Sequence, residues 1–257
     1  MRNNTKLAAA AALAAVMAIP TAVGAQDEAA KVRVLHGVGD APAVDVYANG
    51  EELIDALAFA NITDYAEVPA GTYLIQVVPD GATIEEGPVV IEAELEFGAG
   101  TMTTVAATGT LTGEAGIIPQ VVSDMPEPNA EGVQLRASHF SFDAPAVDIA
   151  PVGGEPVLTD VPFGATSDYL DLPAGPIDLE IRGAGSPDAV FTIPTLDLEA
   201  GNSYSAYAIG SFEEGTFTVI PALDASVEMM DEEMTDDSMS EDEAAAETAE
   251  ATEETEG

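Results

Sequence analysis

Apolar and polar residues alternate along several short stretches of the chain, as in 44–46 and 91–95. A period of two places successive side chains on opposite faces of an extended strand, with one face buried and one in solvent. In the first half of the chain, stretches rich in β-branched residues predict strands at 31–36, 43–48, 72–78, 89–97, 101–107 and 117–122. Turn residues separate them at 40–42, 49–50, 69–71, 80–81 and 98–100.

The same pattern returns in the second half of the chain, in three ordered blocks. HGVGDAPAVD at 36–45 returns as HFSFDAPAVD at 139–148, so that His139 repeats His36 at an offset of 103 residues. DYAEVPAG at 64–71 returns as DYLDLPAG at 168–175, and LEFGAG at 95–100 is matched by LDLEAG at 196–201. The order and the nearly constant offset indicate a tandem duplication.

The duplication predicts an all-β protein with two tandem immunoglobulin-like β-sandwiches of about seven strands each. Residues 51–59 are expected to form a helical turn between strands. The linker contains Pro126, Pro128 and Gly132, and we expect it to hold the two domains apart like beads on a rod. The predicted segments are a signal peptide at 1–25, a first sandwich at 26–122, a linker at 123–132, a second sandwich at 133–223 and a disordered acidic tail at 224–257.

The charge balance narrows the classes of partner. The chain has 6 Lys and Arg against 47 Asp and Glu, a formal net charge of -41. Nucleic acid is excluded as a partner because its binding needs clustered cations, and an anionic lipid surface repels the chain for the same reason. High ionic strength would screen the self-repulsion, which indicates a protein adapted to salt. The tail at 224–257 holds fifteen acidic residues and no Lys or Arg, a composition that favours disorder.

The N-terminus has the pattern of an export signal. Arg2 and Lys6 precede an apolar run at 7–19, and small residues at 23–25 predict cleavage after Ala25. We therefore expect a secreted or cell-envelope-associated protein without a membrane span once the signal is removed. The chain contains no Cys, which excludes disulfides, thiol nucleophiles and Cys-based metal sites.

The repeated HxxxDAPAVD motif, followed by Asp-Tyr and Pro-Ala-Gly, resembles a family of secreted bacterial and archaeal tandem domains known as domain of unknown function 4397. The resemblance covers about 31–122 and 133–223. It implies an immunoglobulin-type sandwich associated with the cell envelope. It implies no catalytic residues, since none is established for the family.

The repeated motif also supplies the candidate site residues. His36 and His139 would serve as metal ligands or general bases if partnered by nearby aspartates, because the pKa of histidine lies near neutrality. The simpler interpretation is that each ring closes the turn after its strand by bonding an Asp or a backbone group. The candidates for a metal site, with Ca²⁺ as the candidate ion, are His36, Asp40, Asp45, His139, Asp143 and Asp148.

Each candidate aspartate also has a structural interpretation. Asp40 and Asp143 precede Ala-Pro, where Asp commonly caps its own turn. Asp45 and Asp148 lie between apolar neighbours, so they are expected on the solvated face of a strand.

Two further features occur near the second block. Tyr65 and Tyr169 are expected to pack across each sandwich with their hydroxyls on backbone carbonyls. Asn61 begins a glycosylation sequon that the second copy lacks, because Ala165 stands there.

Three functions follow as hypotheses. The first is a non-enzymatic secreted or envelope module that binds a polysaccharide or an envelope protein. The second is a Ca²⁺-dependent binding protein that uses the duplicated His/Asp turns. The third is a hydrolase of extracellular polymers, for which the sequence offers no catalytic signature such as a nucleophile elbow or a His-Glu-x-x-His motif.

Overall fold

The computed structural model describes residues 29–228. The predicted signal peptide and the acidic tail from residue 229 onward lie outside the described residues. The described part of the chain is all-β, as predicted. Its first eight strands are β1 (Ala30–His36), β2 (Val44–Ala48), β3 (Glu51–Leu57), β4 (Ala66–Val68), β5 (Gly71–Pro79), β6 (Ile91–Phe97), β7 (Met102–Gly109) and β8 (Ile117–Asp124). We refer to residues 30–124 as the first repeat.

The second repeat, residues 133–226, reproduces this order with two strands broken. Its strands are β9 (Val133–His139), β10 (Val147–Pro151), β11 (Leu158–Val161), β12 (Leu170–Leu172), β13 (Gly175–Ile177), β14 (Leu179–Gly183), β15 (Ala189–Thr192), β16 (Leu196–Leu198), β17 (Asn202–Ile209) and β18 (Thr218–Ser226). The pairing of β5 with β6 becomes β13 with β16 and β14 with β15. Pro194 lies in the interruption between β15 and β16, where it has no N–H to donate to a ladder.

Each repeat is a sandwich built on two four-stranded sheets, and in the second repeat β13 and β16 form a further two-stranded sheet. In the first repeat the sheets have the orders β4-β1-β7-β8 and β3-β2-β5-β6, and in the second repeat β12-β9-β17-β18 and β11-β10-β14-β15. The pairs β1–β7 and β9–β17 are parallel. Each sandwich has its own apolar core, with Val46 and Val77 in the first and Leu135, Ile149 and Ile181 in the second.

The two repeats pack against each other, so the predicted arrangement of separated beads is wrong. A third apolar cluster joins Leu35 and Ala106 of the first repeat to Phe140, Tyr207 and Ile209 of the second. All five side chains are buried. The sheets β4-β1-β7-β8 and β12-β9-β17-β18 therefore face each other, and we call them the inner sheets.

Three predicted boundaries are corrected by the strands. Residues 51–57, expected in a helical turn, form β3 and pair with β2. Ser123 and Asp124, assigned to the linker, end β8, and 224–226, assigned to the acidic tail, end β18. Asp124 and Asp224 are each 3% exposed, because both lie against arginines between the repeats.

Candidate functional site

The two histidines close the turn after the first strand of each repeat. His36 Nε2 donates to the Pro42 carbonyl at 2.9 Å, and His139 Nε2 contacts the Pro145 carbonyl at 3.0 Å in the same way. Burial lowers the pKa of both rings, against the opposing effect of these backbone hydrogen bonds. The bonds of both rings go to backbone groups rather than to the aspartates proposed as partners. Among the described residues, His139 Nδ1 is a buried side-chain atom without a hydrogen-bond partner.

Asp40 ties the turn after β1 to the loop between β7 and β8. Its carboxylate accepts hydrogen bonds from the N–H groups of Leu111 and Thr112, at 2.7 and 2.9 Å, and from the hydroxyls of Thr110 and Thr112, both at 2.8 Å. Partial burial raises the pKa of Asp40, but these hydrogen bonds outweigh it and lower the pKa to about 2. The expectation that Asp40 caps its own turn therefore missed its partners, which lie about 70 residues further along the chain.

Asp143 has the same role in the second repeat. It accepts from the N–H groups of Phe212 and Glu213, at 3.2 and 2.8 Å, and from the Ser211 hydroxyl at 2.7 Å. The Ser141 hydroxyl also donates to it at 3.1 Å. Burial again opposes the shift, yet the hydrogen bonds lower the pKa of Asp143. The motif aspartate thus fixes the loop between the last two strands of each inner sheet.

Each fixed loop exposes one large apolar side chain at its tip. Leu111 is 39% exposed and Phe212 is 36% exposed, and each donates its own N–H to the motif aspartate. The Phe212 ring stacks on Phe217 with a centroid separation of 3.9 Å, and Phe217 meets Phe191 edge to face at 4.7 Å.

Both loops lie at the same end of the molecule. A Cβ added to Gly37 would lie 3.3 Å from Ile209 Cγ2, and one added to Gly39 would lie 2.3 Å from Thr216 Oγ1. The turn after β1 therefore touches the loop after β17 directly. Because Asp40 in that turn bonds the loop after β7, the loops carrying Leu111 and Phe212 lie at the same end of the two repeats, and we call this end the tip surface.

Asp45 and Asp148 are buried rather than on the solvated face, at 3% and 5% exposure. Asp45 accepts from the N–H groups of Ala56 and Gly81, at 2.8 and 3.0 Å, and Asp148 accepts from those of Asp160 and Gly185, at 2.8 and 2.9 Å. Ala56 and Asp160 have φ values of 54° and 53°. These aspartates thus stabilise a left-handed residue in the edge strand, which costs free energy for any residue with a Cβ.

The six metal-ligand candidates do not converge on one site. Among the described residues, the carboxylate oxygens of Asp45, Asp55 and Asp80 lie within 4.8 Å of one another, so only Asp45 of the six belongs to this group. The bond pattern places Thr159 and Ala184 at the positions of Asp55 and Asp80 in the second repeat. The acidic group is therefore confined to the first repeat.

Tyr65 and Tyr169 contact carboxylates rather than the predicted backbone carbonyls. The Tyr65 hydroxyl donates to Asp124 at 2.6 Å, and the Tyr169 hydroxyl donates to Asp224 at 2.7 Å. Their rings lie under the two buried arginines, with Arg33 Cζ 4.4 Å from the Tyr65 centroid and Arg136 Cζ 4.7 Å from that of Tyr169.

The two arginines cross between the repeats and form the largest feature that sequence reasoning missed. Arg33 of β1 pairs with Asp224 of β18, and Arg136 of β9 pairs with Asp124 of β8. Arg33 also donates to Leu223 O at 2.9 Å and to the Tyr207 hydroxyl at 2.8 Å. We call Arg33, Arg136, Asp124, Asp224 and the side chains bonded to them the crossed-arginine cluster.

Hydroxyl groups complete the crossed-arginine cluster. Thr104 Oγ1 accepts from Arg33 Nε at 2.8 Å and donates to Asp124 at 2.6 Å. Ser205 does the same for Arg136 and Asp224, at 2.7 and 2.6 Å. Each buried carboxylate therefore meets one arginine of the other repeat and two hydroxyls of its own, which satisfies a pair of charges that would otherwise be costly to bury.

The sequon residue Asn61 lies exposed between β3 and β4. Thr63, the third residue of the sequon, has a structural task of its own, because its hydroxyl accepts from Val34 N–H at 3.0 Å and donates to Asp64 O at 2.9 Å. Ser167 makes the equivalent bonds in the second repeat, to Ala137 N–H and Asp168 O. The presence of a hydroxyl residue at position 63 is thus accounted for by these hydrogen bonds without a glycan. Glycosylation at Asn61 stays a prediction.

One family model matches the chain in two consecutive segments. Residues 30–150 and 151–233 both match the family described as "Domain of unknown function (DUF4397)". The chain belongs to this family. No curated protein matches the chain.

Solved structures similar to this DUF4397 chain are distant. One is a carbohydrate-binding module of family 26 from Eubacterium rectale Amy13K, in complex with maltoheptaose, at 10% identity and a TM-score of 0.26. It covers 77% of this chain and 98% of its own. Another is a protein from Bacteroides fragilis provisionally described as a cell adhesion protein, at 11% identity and a TM-score of 0.19, covering 76% and 98%.

In the described part of this DUF4397 chain, no helix has the length and apolar character needed to cross a membrane.

Proposed function

We propose that the chain is a secreted or cell-envelope-associated, non-catalytic interaction module that contacts its partner through the tip surface. Leu111 and Phe212 supply the apolar contacts there. The exposed carboxylates of Glu114, Glu213 and Glu214 border them.

The observation that carries this proposal is the bonding of Asp40 and Asp143. Each carboxylate accepts two backbone N–H groups and two hydroxyls, so each loop is ordered before a partner arrives. Preorganised loops lose less conformational entropy on binding, which raises affinity without new contacts. The same bonding occupies both carboxylates and leaves them poorly suited as bases or nucleophiles.

Charge restricts the partner further. The tip surface carries carboxylates, and the chain as a whole carries a formal net charge of -41. A polyanionic partner is therefore repelled, while a neutral polysaccharide or an envelope protein with exposed apolar or basic groups is compatible. A neutral polysaccharide would place its apolar sugar faces on Leu111 and Phe212 and its hydroxyls on the bordering carboxylates.

The test is binding of the mature protein to isolated cell envelope and to a panel of neutral polysaccharides, at low and high salt. The Leu111→Ala/Phe212→Ala double variant is expected to lose most binding while remaining folded, as judged by a cooperative urea transition. The matched control is Val152→Ala/Val157→Ala, which truncates side chains of similar exposure, 53% and 44%, elsewhere on the second repeat. Undiminished binding by the Leu111/Phe212 variant would remove the tip surface from the proposal.

A further inference from the structure

The inner sheets of the two repeats carry the same buried charges but different shapes. In the strand registers Arg33 is opposite Thr104 and Arg136 is opposite Ser205, so Thr104 and Ser205 occupy equivalent places. Two residues further on, Ala106 is therefore equivalent to Tyr207. After the motif histidines, Gly37 is equivalent to Phe140.

The large side chains of the second repeat occupy space left by the small residues of the first. Tyr207 and Phe140 are 0% exposed and tilt against each other with a centroid separation of 6.0 Å. The Tyr207 hydroxyl reaches into the first repeat, where it donates to Thr104 Oγ1 at 3.2 Å. A Cβ added to Gly37 would lie 2.9 Å from Ala107 O of its own repeat and 3.3 Å from Ile209 Cγ2 of the second repeat.

Charge alone does not choose between like and unlike repeats. Each inner sheet offers one buried arginine and one buried aspartate, so two first repeats or two second repeats could also form crossed pairs. Shape removes this ambiguity. If two second repeats met, two copies of Tyr207 and Phe140 would compete for the space that one copy of each fills. If two first repeats met, the interface would contain voids beside Gly37 and Ala106.

We propose that the inner sheets form a self-sufficient interface in which a first repeat binds only a second repeat, supplied either by the same chain or by a second copy of it. The crossed-arginine cluster sets the register of the interface, and the pairing of Tyr207 and Phe140 with Ala106 and Gly37 sets the identity of the partner. The linker at 125–132 raises the effective concentration of the two faces, but their recognition does not depend on it.

The test uses the full mature chain with a protease site inserted in the linker, cleaved after folding. The two halves are expected to co-elute as a 1:1 complex with the mass of the intact chain. Mixing light and isotopically heavy cleaved protein is expected to produce mixed complexes by native mass spectrometry, each pairing one first half with one second half. Separation of the halves after cleavage, or pairs of like halves, would overturn the proposal.

Point variants distinguish a loss of recognition between the two repeats from a loss of folding. Ala106→Tyr is expected to abolish co-elution, whereas Thr72→Tyr, which places the same side chain at an exposed strand position, is expected to leave it unchanged. Ala106→Tyr combined with Tyr207→Ala moves the large side chain to the other face and is expected to restore co-elution. Restored co-elution cannot arise from misfolding. If the halves of the combined variant co-elute no more than those of Ala106→Tyr alone, shape does not determine the partner.

Discussion

At the scale of single residues, the role of an aspartate in this chain can be inferred only from the groups that donate hydrogen bonds to it. The sequence contains 47 Asp and Glu, and composition cannot distinguish those that coat the surface from Asp40, Asp45, Asp143 and Asp148. The repeated motif sets these four apart, because an aspartate occurs at the same two motif positions in both copies. Their partners stay hidden because the backbone N–H groups that they bind lie between 11 and 72 residues further along the chain.

The lowered pKa of Asp40 predicts a pH dependence with a definite sign. The pKa in the folded protein is about 2, below the ordinary value of 3.8. The stabilisation is therefore complete above the ordinary value and is lost as pH falls through about 2. Asp40→Asn should destabilise the protein by about 1–2 kcal/mol at neutral pH, and the difference from wild type should shrink between pH 4 and pH 2.

The measurement is urea unfolding of both proteins across this range, with NMR of the Leu111 and Thr112 amides to follow Asp40 directly. Glu94→Gln, on an exposed position of β6, is the control for the loss of one surface charge. Amide shifts that titrate near pH 4 would contradict the hydrogen bonding described for Asp40.

Removing one partner of the buried Arg33–Asp224 pair should be more damaging than removing both charges. Arg33→Gln leaves Asp224 buried without its cation, which typically costs about 3–5 kcal/mol. Arg33→Gln/Asp224→Asn removes the uncompensated charge while keeping an acceptor for Tyr169 and Ser205, so it should be more stable than Arg33→Gln alone.

Urea unfolding of the two single variants and the double variant checks this non-additivity. The control pair is Arg182→Gln and Glu180→Gln, an ion pair within one sheet of the second repeat, whose loss should leave the contact between repeats intact. Additive effects at Arg33 and Asp224 would mean that the two charges are not coupled.

At the scale of elements, most strands could be predicted from the alternation of apolar and polar residues, but their ends could not. EELIDAL at 51–57 has a helix-compatible composition, yet it forms β3 because Asp45 and the edge of β2 supply its backbone partners. Asp124 and Asp224 look like the start of a linker and of an acidic tail. Each instead ends a strand and forms an ion pair with an arginine of the other repeat. No local sequence pattern reveals such a contact.

The corrected end of β18 predicts where the chain tolerates truncation. A protein ending at Leu223 lacks Asp224 and leaves Arg33 buried without its carboxylate, so it should unfold at much lower urea concentration or fail to fold. A protein ending at Glu228 keeps the whole of β18 and should retain nearly the full stability. Urea midpoints of the two truncated proteins and of the mature chain decide this, and equal midpoints for the endings at 223 and 228 would contradict the role of Asp224.

At the scale of the whole molecule, the distribution of cations explains why the repeats are packed together. Only four of the six Lys and Arg residues lie beyond the predicted signal peptide, and two of them, Arg33 and Arg136, are buried between the repeats. The acidic surface repels itself, and the crossed-arginine cluster opposes that repulsion at the one face where the repeats meet. Sequence reasoning predicted separated domains because it assessed the linker by composition and assigned no partner to the arginines.

This division between surface and buried charge predicts two different responses to salt. Raising NaCl from ~0.1 M to ~3 M shortens the Debye length from about 10 Å to below about 3 Å, so the wild-type urea midpoint should rise as surface repulsion is screened. The cost of Arg33→Gln should change little, because buried pairs are screened far less.

Millimolar CaCl₂ added in ~3 M NaCl should not raise the urea midpoint further, since both oxygens of Asp45 already accept N–H groups. A calcium-dependent gain in high salt that disappears in Asp55→Asn would contradict this expectation and assign a calcium site to Asp45, Asp55 and Asp80.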